Sequence, residues 1–166
     1  MGSGKEKRMV FKRVATGLLV WTMASILMGM ARINIDRSKD QRYSNAIDKQ
    51  YRTLIDLVIY HSDDSKQIVV DKFGNGLPEK GKMKNKFPYR YYDEMILGVL
   101  PAGSVFKTKR VMEEGPKTGT FIFYYAELLS SSNEKFVGKD INVTFLANGT
   151  VDPPKFEPSL VEEIKP

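Results

Sequence analysis

The sequence predicts an α+β protein with an N-terminal membrane-spanning or signal helix, one amphipathic helix, then a mainly antiparallel β-sheet meander. Three patterns carry that expectation. Residues 14–31 are apolar and uncharged, and an apolar stripe with helical spacing follows Ser38. From Val105 onward, apolar and polar residues alternate between turn signals.

The segment Val14–Ala31 reads VATGLLVWTMASILMGMA, eighteen residues without a charge, with Leu18, Trp21 and Ile26 along it. As a helix it would span about 27 Å, close to the ~30 Å hydrocarbon core of a bilayer. It follows a basic region, residues 1–13, that holds Lys5, Lys7, Arg8, Lys12 and Arg13 against Glu6. A retained anchor is the favoured reading because the run exceeds the usual ~7–15 residues of a signal-peptide core. The alternative is a signal cleaved before Arg32, since Gly29 and Ala31 place small residues three and one before the cut. Arg32, Arg37, Lys39 and Arg42 nearly balance the preceding cations, so charge asymmetry sets the orientation only weakly. Myristoylation is excluded because Glu6 stands where Ser or Thr is required.

The next stretch divides into a small extracytoplasmic α+β domain, residues 32–152, and a proline-punctuated tail, residues 153–166. Ser38 and Gln41 have capping-box spacing. Tyr43, Ile47, Tyr51, Leu54 and Val58 continue it as a helical stripe, predicting a helix over 39–58. The end of that stretch also suits a hairpin, with Leu57–Tyr60 and Ile68–Val70 flanking a Ser/Asp turn. Residues 73–88 form a loop punctuated by glycine and proline. A short element near 91–99 follows, and Pro101–Ser104 makes a turn. Strands are expected at 105–112, at 120–129 (FIFYYAELL, apolar on both faces and hence central) and at 141–146. Asn148–Gly149 reads as a tight turn, and the tail as a segment extended over the surface.

Charge and composition narrow the function. The formal charge of +6 is uneven: residues 1–31 carry +4, whereas the other 135 residues carry 21 Lys and Arg against 19 Asp and Glu, a net of +2. A nucleic-acid footprint is therefore disfavoured. The absence of cysteine excludes disulfides, thiolate metal sites and thiol nucleophiles.

His61 is the sole histidine and sits beside Ser62, Asp63, Asp64 and Ser65. A Ser–His–Asp hydrolase is one alternative, but no Gly-x-Ser-x-Gly elbow supports it, and Asp and Ser fill polar turns for backbone reasons. No catalytic residue, cofactor or metal is expected, and the chain is read as a non-enzyme. The main candidate contact surface is the lysine loop. Lys80, Lys82, Lys84 and Lys86 run into Arg90 and Tyr91, a cation–aromatic mixture suited to anionic polymers or head groups. The simpler reading is a solvated loop over a tyrosine-rich core edge. Asn142-Val-Thr144 and Asn148-Gly-Thr150 match the N-glycosylation acceptor pattern, which matters only in a eukaryotic secretory route.

The layout of apolar segment, helix and meander resembles type IV pilins and minor pseudopilins, as do Leu100–Phe106 and Ile141–Thr150 as sheet segments. That resemblance implies a filament or secretion-apparatus subunit with one continuous helix from about residue 14 to 58. The prepilin processing signal is absent, and no acid lies within 14–31. The leading expectation is a membrane-anchored or exported non-catalytic domain acting through protein or envelope contacts. Its expected partners are membrane lipid, an unidentified protein and an envelope polyanion.

Overall fold

A computed structural model describes residues 32–62, 67–74, 76–84, 86–116 and 119–165. The strands in chain order are β1 (Arg32–Asp36), β2 (Gln50–Thr53), β3 (Leu57–Ser62), β4 (Ile68–Asp71), β5 (Tyr89–Tyr91) and β6 (Glu94–Leu100). There follow β7 (Val105–Pro116), β8 (Phe121–Ser130), β9 (Asp140–Asn142), β10 (Ala147–Asn148), β11 (Lys155–Phe156) and β12 (Val161–Ile164). Ten strands form one sheet in the order β12-β2-β7-β8-β9-β4-β3-β6-β5, with β1 paired to β7, while β10 and β11 form a separate two-stranded piece. The chain divides into two compact units. The larger comprises residues 35–113 and 122–166. The described part of the smaller is residues 32–34, 114–116 and 119–121.

The α+β expectation is overturned. The helical pieces among the described residues are 3-10 turns of three residues each. The expected helix over 39–58 is instead a 3-10 turn at Gln41–Tyr43 followed by β2 and the start of β3. Its cap is Asp40, whose carboxylate accepts from the Arg42 N–H at 3.0 Å. The Ser38 hydroxyl accepts from the Val111 N–H at 3.0 Å and takes no part in a capping box. Asp48 adopts φ +60°, a left-handed conformation that ends any helical path. Beyond it Tyr51 and Thr53 point inward and Gln50 and Arg52 outward, a period of two that β2 uses between β7 and β12.

The hairpin alternative is the one the chain adopts. β3 and β4 pair antiparallel with Ile59 opposite Val70 and Tyr60 opposite Val69. β3 is buried on both faces. Leu57 and Ile59 join a main core with Phe106, Tyr124, Leu128, Phe136 and Leu146. Val58 and Tyr60 join a second cluster with Val69, Leu77 and Ile96. That double burial explains the unbroken apolar run from Leu57 to Tyr60, which periodicity alone cannot assign.

Three further expectations change. The strand predicted over 141–146 stops at Asn142, because the Asn142 side-chain carbonyl accepts from both the Thr144 N–H (3.0 Å) and the Thr144 hydroxyl (2.5 Å). Such a local bond bends the chain away from the ladder. β9 also runs parallel to β4, so the sheet is mixed and not purely a meander. The tail does not lie loosely over the surface: it supplies β11 and β12, and Leu160 and Val161 are buried in the main core.

The expected transmembrane helix has no counterpart in the described fold, where no helix is long and apolar enough to cross a membrane. Val14, Leu18, Trp21, Ile26 and Ala31, like the basic residues 1–13, lie outside the described residues.

Candidate functional site

The segment that carries the lysines packs Leu77 and Met83 into the second hydrophobic cluster. Lys80 pairs with Asp56 at 2.7 Å and Lys82 with Glu79 at 3.0 Å. The Lys80 ammonium, helped by the Ala102 N–H, holds the Asp56 carboxyl below the usual carboxylate range. Lys84 lies 5.0 Å from the centre of the Tyr89 ring. Tyr89 and Tyr91 are half-buried, packing with Met83 and Phe73 against Val58, Tyr60 and Ile96. Lys86 and Arg90 are exposed, as is Tyr92 at 78%. Of the six sequence-predicted contact residues, Lys80 and Lys82 are paired with carboxylates while remaining 69% and 74% exposed, Lys84, Lys86 and Arg90 are exposed, and Tyr91 packs partly against the second cluster.

His61 lies at the end of β3, where Nδ1 faces the Gln67 carbonyl at 2.8 Å. Among the described residues no serine hydroxyl or carboxylate is hydrogen-bonded to the imidazole. No group of three metal-ligating side chains occurs among the described residues. Near the same end of the sheet a shallow cavity of about 390 Å³ is lined by Gln67, Tyr125, Asn142, Arg110 and Lys139. Its polar groups largely satisfy one another: the Gln67 amide donates to the Tyr125 hydroxyl at 3.0 Å, and Arg110 sits 5.1 Å over the Tyr125 ring.

A larger cleft, about 700 Å³, lies at the other side of the larger unit, between the 41–46 turn, β11 and β12. Four aromatic side chains form its floor. Phe156 is central, 4.5 Å from Tyr51 and 5.4 Å from Tyr124 between ring centres, and Tyr43 meets Tyr124 edge-on at 6.4 Å. Pro153, entered through a cis peptide bond from Asp152, and Pro154 form one wall. Gln41, Arg42, Asn45, Lys155, Glu162 and Glu163 contribute the polar part of its lining. Arg42 is gripped by Asp40 at 2.8 Å, and that guanidinium draws the Asp40 carboxyl down to about 2.

The three tyrosines differ in how their hydroxyls are used. Tyr124 donates to the Pro154 carbonyl at 2.6 Å. Tyr43 and Tyr51 are 3% and 7% exposed, yet their hydroxyls have no hydrogen-bond partner among the described residues. Neither oxygen is sealed from solvent, so both open onto the cleft they line. Burial keeps them neutral: Tyr51 is pushed up to about 12 by desolvation, with Glu163 adding to it, and Tyr43 is raised chiefly by desolvation. Each is therefore a neutral donor and acceptor held in an apolar wall. Convergent polar groups in a largely apolar concavity are the usual make-up of a binding site.

Sequence reasoning missed this cleft because its residues come from four stretches that meet only in the fold. One signal was present in the tail, where Phe156, Leu160 and Val161 interrupt the prolines with large apolar side chains. A merely extended tail has no need of them.

Compared with protein-family models, curated proteins and solved structures, the chain matches none of them.

Proposed function

We propose that this chain is a non-catalytic binding domain, brought to a membrane by residues 14–31, that acts by holding part of another protein in the aromatic cleft. The observation that carries the reading is the pair of largely buried tyrosines, Tyr43 and Tyr51, whose hydroxyls open onto the cleft and have no hydrogen-bond partner among the described residues. Because they face the cleft without a protein partner, these hydroxyls are available to hydrogen-bond main-chain or side-chain polar groups of an entering partner. The hydrolase alternative has no support from a serine hydroxyl or carboxylate bonded to His61 among the described residues. The pilin-like alternative required helix up to about residue 58, and strands occupy the later part of that stretch.

Two measurements test the proposal in cells. A photoreactive amino acid at Asn45 or Lys155, on the cleft rim, is expected to form protein adducts that the same group at Arg90 on β5 does not. The adducts should weaken when Tyr43→Phe and Tyr51→Phe are combined. Adducts equally strong from Arg90, or none from the rim, would reject the cleft as the contact. For the membrane part, the full chain should sediment with membranes and a 14–31 deletion should not; sedimentation unchanged by that deletion removes the targeting role.

A further inference from the structure

β12 is the last strand of the sheet on its side, with β2 as its only neighbour among the described residues. Its backbone can be assigned group by group. In an antiparallel ladder, alternate residues turn their N–H and C=O toward one neighbour or the other. Thr53 turns both away from β12: its N–H donates to Ser104 at 2.9 Å and its carbonyl accepts from Gly103 at 2.8 Å. Val161 lies opposite Thr53, and Glu163 lies opposite Tyr51, two residues along. Val161 and Glu163 therefore turn their main-chain groups off the sheet, and the Val161 N–H is already taken by the Glu157 carbonyl at 3.1 Å. Among the described residues, the Val161 carbonyl and both Glu163 groups remain as an open edge.

That edge runs along the aromatic cleft. Val161, Glu162 and Glu163 all line it. Consecutive residues of a strand face opposite sides, so a cavity that meets all three lies beside the strand and not over one face. An occupant would meet the open ladder groups of β12 and the free hydroxyls of Tyr43 and Tyr51 together.

Charge decides what that occupant is. If β12 paired with β12 of a second copy, every two-fold register through Glu162 or Glu163 would set glutamates directly opposite each other, which is destabilising. Glu162 and Glu163 bind Arg52 and Lys49 through one oxygen each, and their side chains remain 49% and 35% exposed. Each keeps capacity for a cation on its outer flank.

Resting on the cleft reading above, we infer that the ligand is an extended segment of another protein that adds to β12 as a further strand, carrying Lys or Arg opposite Glu162 and Glu163 and an apolar side chain into the cleft. Main-chain pairing supplies the affinity, and the alternating side chains supply the selectivity, as in other strand additions.

The test is selection of a random dodecapeptide display library on the full chain in detergent micelles. Glu163→Pro is the edge-blocking variant, because the lost N–H points off the sheet and takes no bond to β2, a place where proline is tolerated. Selected peptides are expected to carry Lys or Arg at two adjacent positions, flanked by an apolar residue, and to lack internal proline. They should bind Glu163→Pro at least tenfold more weakly than Glu163→Gln, and N-methylation of alternate peptide amides should cause a similar loss. Tyr43→Phe with Tyr51→Phe, which leaves the edge intact, gives an independent readout and should weaken binding several-fold. Proline-rich winners, equal binding by Glu163→Pro and Glu163→Gln, no enrichment over empty micelles, or a dimer that Glu163→Pro dissolves would each overturn the inference. Rim crosslinking that persists while selection fails would remove the added-strand ligand alone. Loss of both would remove the cleft reading as well.

Discussion

Replacing tyrosine by phenylalanine at three positions of one cleft should change stability in opposite directions. The side chains are alike in burial, so the apolar contribution is conserved and only the hydroxyl differs. At Tyr51 the hydroxyl is unpartnered, and Tyr51→Phe is expected to raise the stability of the ligand-free protein. The gain should be about 0.5–1 kcal/mol, below the ~1–3 kcal/mol of a fully sealed orphan, because the oxygen still meets the cleft. Tyr43→Phe should act likewise. Tyr124→Phe removes the 2.6 Å bond to the Pro154 carbonyl and leaves that acceptor bare. It should cost about 1–2 kcal/mol. At this size 1 kcal/mol moves the melting temperature by about 2–6 °C, so thermal melts and urea titrations of the full chain in detergent resolve both signs. Three changes of the same sign, or Tyr51→Phe destabilising by more than about 0.5 kcal/mol, would refute the account of unpaired cleft phenols.

Alkaline unfolding supplies a second check. Tyr51 is pushed up to about 12 in the folded chain against an ordinary 10.0, so its contribution is whole below pH 10 and is lost as pH rises toward 12. A urea midpoint that falls across that window, less steeply in Tyr51→Phe, is expected; identical slopes would count against the shift. Thr108 is fully buried on β7 and its hydroxyl has no partner. Thr108→Val should therefore stabilise by about 1 kcal/mol, and a lowered melting temperature would show an unrecognised bond. Deleting residues 155–165 removes β11 and β12 and exposes the core around Leu160 and Val161. Each buried aliphatic side chain is worth about 1.5–3 kcal/mol, so the truncated chain should lose its cooperative melt, whereas a dispensable tail would leave it unchanged. Lys80→Ala breaks a surface pair and should cost under about 1 kcal/mol; circular dichroism melts that show more would give the lysine loop a larger structural role.

What local chemistry determines was legible from the residues themselves. Thr120–Leu129 is apolar on both faces and becomes the interior strand β8, and the stretch from Val105 becomes β7. The concentration of charge before residue 31 likewise needs no fold to be seen. Residues 39–58 were not legible, because Tyr43, Ile47, Tyr51, Leu54 and Val58 satisfy a helical spacing while the same stretch also satisfies a strand. Non-local partners settled it: Tyr51 stacks on Phe106 from β7 and contacts Phe156 from the tail, and the β2 ladder needs β7 and β12 on its two sides. No window of twenty residues contains those partners. The cleft has the same origin, since Tyr43, Tyr51, Tyr124 and Phe156 meet only after the sheet has formed. By itself the sequence determined where the apolar and charged surfaces had to be; the tertiary structure alone decided which strands they joined and which hydroxyls were left facing the cleft, because ladder pairing and burial belong to contacts far apart in the chain.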